Sequence, residues 1–290
     1  MCDTHELERW AASALTRRQL GMAGAASAAV AACAPMAGDP SRAAAGAPAE
    51  RMVEIATADG TLDGEFYAPA GRKKHPGVVL WPDIAGIRPA KRQMARRLAQ
   101  AGYAVLLANP YYRDVKGQQF EDFAAFISAG GFQKVTPWRN RFNITTVKTD
   151  TAAIAAWLGK QAEVDTARGM GAQGYCMTGS FGLVAPSAAA GMKAGASFHG
   201  GGLVNADAAR SPAATMQPGR HYLVAIGKND DAKAPGEKDA LRAAATAARA
   251  EAEIEVYPAD HGWCVPDSPS YDQAEADRAW SRLLALYSRL

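Results

Sequence analysis

The sequence predicts an α/β domain, a mostly parallel central sheet with helices on both faces. Three observations predict it. Residues 77–82 and 103–108 are short, near-continuous apolar runs, as in strands covered on both faces. Residues 89–101, 144–160 and 271–290 instead repeat their apolar positions at helical spacing. The two kinds of segment then alternate to the end of the chain, and strand–helix–strand alternation folds into parallel pairs.

The first 33 residues read as an export leader rather than as fold. Arg17-Arg18 precedes a weakly apolar, charge-free run from Ala23 to Ala32, the pattern of a twin-arginine signal. The run is too short and too rich in alanine for a lasting membrane helix. It ends in Val30-Ala31-Ala32-Cys33, similar to a lipobox, in which Cys33 would carry a lipid anchor. The chain is thus expected to be exported by the twin-arginine route, to the periplasm or to a membrane as a lipoprotein. Residues 34–50 are Ala, Gly, Pro and Ser with few large apolar groups, a flexible linker that cannot bury a core. Residues 51–290 suit one domain.

The composition is that of a globular protein, with 48% hydrophobic and 21% charged residues. A formal net charge of +3 over 290 residues, without a basic patch interleaved with aromatics, gives no footprint for nucleic acid. The four cysteines, Cys2, Cys33, Cys176 and Cys264, have neither zinc-ligand spacing nor the density of a disulfide framework.

Within the domain, residues 52–57 and 61–67 flank Ala58-Asp59-Gly60 and are expected to open the fold as a hairpin. The strand at 77–82 follows. The helix at 89–101 has Pro89 in its first turn, Met94, Ala95, Leu98 and Ala101 on one face, and Gly102 as its stop. Residues 103–108 form the next strand. Residues 120–142 are long and irregular enough for a lid. The helix at 144–160 precedes a short strand ending near Gly174. Strands are then expected at 194–198, 221–226 and 253–257, with helices at about 237–250 and at 271–290.

In such sheets sites form at the C-terminal strand ends, and the candidate chemistry falls there. Gly174-Tyr175-Cys176-Met177-Thr178-Gly179 sits between a strand and a helical segment, the setting of a nucleophile elbow. A thiol nucleophile needs a base, and the base needs a group to orient it. Gly227-Lys228-Asn229-Asp230-Asp231 follows the seventh strand and Asp260-His261-Gly262-Trp263-Cys264 follows the eighth. The order Cys176, Asp230, His261 is the α/β-hydrolase order of nucleophile, acid and histidine. Asp231 is the alternative acid. His199 ends the strand after the elbow; there it gives the wrong chain order for the base and is assigned to the pocket wall.

Gly174-Tyr175-Cys176-Met177, the Gly-x-x-Asp at 227–230 and His261-Gly262 resemble the dienelactone hydrolase family of α/β-hydrolases, over roughly residues 52–290. The resemblance implies an α/β-hydrolase fold, with Cys176 as nucleophile, His261 as base and Asp230 as orienting acid. It also implies a carboxylate after the first long strand that interacts with the cysteine or the histidine, a position filled here by Asp83. The oxyanion hole would be the backbone amides of Met177 and Ile84. Asn109-Pro110-Tyr111-Tyr112-Arg113 matches the family loop whose arginine holds a substrate carboxylate. Arg113, Tyr112, His199 and Trp263 are therefore expected around the substrate. Two departures stand out. Thr178 occupies a position that is usually glycine, and a second arginine soon after the histidine is absent.

The expected activity is hydrolysis of an ester or lactone through a thioester on Cys176. No metal or organic cofactor is required, and the expected partner is a small-molecule substrate to a monomer or small homo-oligomer. Two other readings are weighed: a redox switch in which Cys176 pairs with Cys264, and a degenerate scaffold that binds a ligand without turnover, for which Thr178 is the main argument.

Overall fold

The computed structural model describes residues 47–290, so the leader, Cys33 and all but the end of the linker lie outside the described residues. Eight strands form one sheet in the order β1-β2-β4-β3-β5-β6-β7-β8. They are β1 (Ala49–Thr57), β2 (Gly60–Ala68), β3 (Gly77–Trp81), β4 (Ala104–Ala108), β5 (Met170–Tyr175), β6 (Met192–Phe198), β7 (His221–Gly227) and β8 (Glu251–Tyr257). β1 and β2 pair as the expected hairpin and β2 runs antiparallel to β4, while every pair from β4 to β8 is parallel. The α/β class and the mostly parallel sheet are as the sequence predicts.

The helices are α1 (Pro89–Gln100), α2 (Phe123–Ser128), α3 (Gly131–Arg139), α4 (Ile144–Leu158), α5 (Gly179–Val184), α6 (Lys228–Lys233), α7 (Glu237–Ala247) and α8 (Gln273–Tyr287). Successive strand residues face opposite sides of the sheet, and β3 shows the consequence. Val78 and Leu80 pack with Ala95 and Leu98 of α1 and with Leu283 of α8. Val79 and Trp81 pack with Val147, Ile154 and Leu158 of α4 on the other face. Two apolar layers therefore sandwich the sheet, which is why its central strands carry no alternation.

The chain leaves β3 for β4 on one side and later returns to β5 on the other. The strand order reverses at β3 and β5, the topological switch point at which open α/β sheets leave a crevice beyond their carboxyl ends. The loop carrying Asp83 and Ile84 leaves β3 at that crevice, and Cys176 leaves β5 beside it. The stretch expected as a lid is more regular than the sequence suggests. α2 and α3 form a short helical pair, Asp122 caps α2 through the Ala125 N–H, and Phe126 and Phe132 pack edge to face between them. This pair joins Ile84, Tyr111 and Cys176 in one cluster.

Candidate active site

Cys176 adopts φ 53° at the end of β5, the left-handed backbone that L-residues avoid and that a nucleophile elbow uses. The neighbourhood is built for it. A Cβ on Gly174 would lie 1.8 Å from the Thr178 carbonyl oxygen, so only glycine lets the turn close. Thr178 is compatible with the elbow because its own backbone is unstrained at φ −90°. Its buried hydroxyl accepts from the Tyr175 N–H at 3.0 Å and donates to the Pro82 carbonyl at 2.8 Å. The departure from glycine thus ties the elbow to the end of β3, and it no longer argues for a degenerate scaffold.

His261 lies in the loop after β8. Its Nδ1 is 2.9 Å from Asp230 Oδ2 and 3.0 Å from Oδ1. Asp230 stands on α6, a short helix that the sequence does not predict. Asn229 Oδ1 accepts from the His261 backbone N–H at 2.8 Å and holds the two segments together. A Cβ on Gly227 would come within 2.9 Å of Asp230 Oδ2 and 3.2 Å of the His261 amide, which accounts for the glycine in Gly-x-x-Asp. Asp231, the alternative acid, points to Lys238 instead, at 2.7 Å. With Nδ1 on Asp230, the Nε2 edge of His261 is the one that meets the cysteine. The ligand-capable atoms of Cys176, His199 and His261 lie within 4.8 Å of one another, and all three residues are buried.

Asp83 has partners other than the expected ones. Its Oδ1 accepts from Arg88 and from the Ala85 N–H, and its Oδ2 accepts from Arg88 and from Lys91 Nζ, at 2.7–3.0 Å. A carboxylate offers about four acceptor positions, and all of them are used, so Asp83 has no place left for the proton of the cysteine. Burial would raise its pKa, but the facing Arg88 and Lys91 charges outweigh that and hold it well below the usual carboxylate range. Asp83 instead shapes the β3–α1 turn. The Ala85 and Gly86 amides both bond back to Asp83, and the Tyr111 hydroxyl donates to the Ile84 carbonyl at 2.7 Å. The Ile84 amide is the one not drawn into this turn, and Ile84 and Met177 both border Cys176 in the same groove.

Sequence reasoning missed Arg88, Lys91 and Asp267. Arg88 is fully buried and forks to both Asp83 and Asp267, and Asp267 also accepts from the Phe123 N–H at the start of α2. The helical pair over the site is anchored to the β3–α1 loop through this one guanidinium. Lys91 could have been suspected, since it stands beside Ala95 and Leu98 on the apolar side of α1; Asp267 carried no local signal.

Arg113 and Tyr112 are not at the site. Arg113 is paired with Asp59 and Asp150, and the Tyr112 hydroxyl donates to Asp150 at 2.7 Å. Neither residue lines a cavity that Cys176 lines. The reason is Asp150, a carboxylate on the buried face of α4 that requires a counter-charge. Trp263 is also displaced from the expected wall. It is fully buried, stacks on Tyr257 and meets the edge of His199 at 5.4 Å between ring centres. His199 does line the cavity with Cys176 and His261.

Cys176 borders two spaces. One is a cavity of about 20 Å³ shared with His199, His261, Asp83 and Phe132. The other is an open groove of about 430 Å³ on the Ile84 and Met177 side, which reaches Arg139, Asn143, Phe181 and Arg210. Neither Arg139 nor Arg210 is ion-paired among the described residues. Cys264 lies elsewhere, in a cavity of about 400 Å³ with Gln173, Tyr175 and Trp280. Neither Cys176 nor Cys264 is in a disulfide. Burial pushes the Cys264 thiol up to about 12, so it is not a thiolate near neutral pH. Cys264→Ser is accordingly expected to leave ester turnover and its dependence on reductant unchanged. A loss of reductant dependence in that variant would support the cysteine pair instead.

Comparison with known proteins shows the family and the fold. The model of the dienelactone hydrolase family matches residues 62–290. The "Putative carboxymethylenebutenolidase" of Escherichia coli K12 is 27% identical over 218 residues, covering 74% of this chain and 77% of the relative. Among solved structures, the "Putative Dienelactone Hydrolase" of Klebsiella pneumoniae has a TM-score of 0.70 at 23% identity, covering 84% of this chain and all of the other. A dienelactone hydrolase-like promiscuous phosphotriesterase from metagenomic libraries has a TM-score of 0.65 at 24% identity, covering 84% and 99%.

Proposed function

The chain belongs to the dienelactone hydrolase family of hydrolases, and from that premise we propose that it cleaves a carboxylic ester or lactone by a thiol mechanism. The observation that carries the proposal is Cys176 at φ 53° beyond β5, beside a histidine whose far nitrogen is paired with Asp230 at 2.9 Å. His261 takes the Cys176 thiol proton, and the thiolate attacks the carbonyl carbon. The oxyanion rests on the Met177 and Ile84 amides, where a preorganised donor contributes about 100- to 1,000-fold in rate. His261 protonates the leaving alkoxide and then takes a proton from the water that hydrolyses the thioester. Asp230 holds the tautomer and orients the ring throughout. Asp83, through Arg88 and the turn it closes, positions the Ile84 amide without touching the reacting atoms.

The groove beside Ile84 and Met177 supports a substrate class. It is lined by Phe142, Ile144, Val147 and Phe181 and carries the two guanidiniums of Arg139 and Arg210. An ester with an apolar body and an anionic group fits that lining. Arg210→Ala is expected to raise KM for an acidic ester with little change in kcat, and to leave a neutral ester of the same size unaffected. Equal effects on both esters would remove the anionic group from the proposal. Export by the twin-arginine route with a lipid anchor at Cys33 remains part of the proposed biology. Replacing Arg17 and Arg18 with lysine is expected to retain the protein in the cytoplasm.

The primary test follows turnover of a chromogenic short-chain ester by the reduced protein, with Cys176→Ala and His261→Ala beside it. Turnover that survives both substitutions would remove the mechanism.

A further inference from the structure

His199 is a poor pocket wall. It is 1% exposed, and neither ring nitrogen has a hydrogen-bond partner among the described residues. Burying an imidazole with both nitrogens unsatisfied is costly, because the desolvation of each nitrogen is not repaid. Apolar burial followed by the proximity of His261 pushes its pKa well below the usual histidine value. Its backbone is held at φ 41°, a left-handed conformation that aims the side chain from the end of β6 toward the ends of β5 and β8. An aromatic or aliphatic side chain would fill the same wall without the polar cost.

We propose that Cys176, His199 and His261 form a three-ligand site for a thiophilic divalent cation, Zn2+, whose binding caps the nucleophile and reversibly stops turnover. Four features of the site support it. The donor set is one thiol and two imidazoles, the ligands that Zn2+ prefers. Their atoms lie within 4.8 Å of one another, so shifts of at most about 0.8 Å each toward a central ion, within reach of side-chain rotation, give zinc-like bond lengths. The cavity they line is about 20 Å³, the room of a single water-sized body. Finally, Asp230 on His261 Nδ1 supplies the carboxylate that orients zinc-bound histidines and strengthens them as donors. The other charges bordering the cavity, Asp83 and Arg88, are paired with each other. The exchange balances: Zn2+ forms a bond to sulfur, and the thiol proton leaves to solvent.

Metal binding follows from the ligand geometry alone, while inhibition rests on the thiol mechanism proposed above. The test therefore reads both. The reduced full-length chain is titrated with Co2+ as a spectroscopic substitute, and zinc-loaded protein is measured by X-ray absorption. One equivalent is expected to bind with a thiolate-to-cobalt charge-transfer band, and bound zinc is expected to show one sulfur and two imidazole neighbours. Cys176→Ser removes the band. Asp230→Asn weakens binding about 10- to 100-fold, as loss of a supporting carboxylate does, and His199→Gln weakens it by more. Zn2+ inhibits ester turnover and a chelator restores it. A band that survives Cys176→Ser belongs to another thiol, Cys2, Cys33 or Cys264, and overturns the proposal. Wild-type zinc without sulfur coordination, or undiminished binding in folded His199→Gln, does the same. Sulfur-ligated metal in a protein with no esterase activity keeps this site and removes only the thiol mechanism.

Discussion

Cys176→Ala is expected to lower kcat on an activated ester by on the order of 10^6-fold, and His261→Ala by a similar factor, with the double variant no slower than either. The equality follows from their acting as a unit. Without the thiol there is nothing for His261 to deprotonate, and without the imidazole the thiol has no base and the leaving alkoxide no acid. Asp230→Asn should cost about 10^4-fold, because the amide favours the wrong histidine tautomer while leaving the ring in place. Stopped-flow or long-time absorbance assays at several ester concentrations give kcat and KM separately. The loss should fall on kcat, since none of the three groups lines the wide groove expected to hold the acid portion, except Cys176 at its edge. Circular dichroism should be unchanged in all of them. If the losses multiplied in the double variant, the two residues would act independently and the triad would be the wrong description.

The second large effect concerns stability. Asp83→Asn is expected to destabilise the protein by about 3–5 kcal/mol, the usual cost of removing one partner from a buried ion pair. Arg88 and Lys91 are both fully buried; in this variant Lys91 loses its carboxylate partner and Arg88 keeps only Asp267. Burial already lowers the Lys91 pKa, with Asp83 opposing that shift, so the variant lysine should shed its proton more readily. Urea unfolding checks the magnitude. The pH dependence checks the cause. The native Asp83 carboxyl lies below its ordinary value of 3.8, so below that pH the unfolded chain binds the extra proton. The contribution is therefore present above about pH 4 and is lost as the pH falls, and the wild-type and variant stabilities should converge in acid. Loss of the turn should also lower kcat, because the Ile84 amide is no longer held. An unchanged midpoint in Asp83→Asn would mean that the network carries no net stability.

What the sequence makes legible depends on how local the cause is. The strands and long helices could be read because burial on both faces and helical periodicity are each written within a dozen residues. The β1–β2 hairpin and the alternation of β3 to β8 with helices follow from the same signals. The cysteine, the acid and the histidine could be located because each follows a strand in a fixed order, and the structure brings the three together. Asp83, Arg113 and Trp263 were harder because their partners are distant in sequence. The charge that satisfies Asp83 lies on α1, and the one beyond it, Asp267, is 179 residues from Arg88. Arg113 follows Asp150, and the one available clue was an acid on the apolar stripe of α4 between Val147 and Ile154. Thr178 shows the opposite case. Read by residue type it appears to crowd the elbow, yet its hydroxyl finds the Pro82 carbonyl, 96 residues away. The small helix α6 is not legible in the sequence, because its 6 residues give too little periodicity to separate helix from turn.

The central claim is that Cys176 becomes acylated and His261 discharges it. The most direct measurement is intact mass during turnover of a chromogenic ester, followed by peptide mapping. The account predicts an adduct of one acyl group on Cys176, transient in the wild type, persistent in His261→Ala wherever acylation still occurs, and absent in Cys176→Ala. Turnover without any adduct on Cys176, or an adduct mapping to another residue, would contradict it.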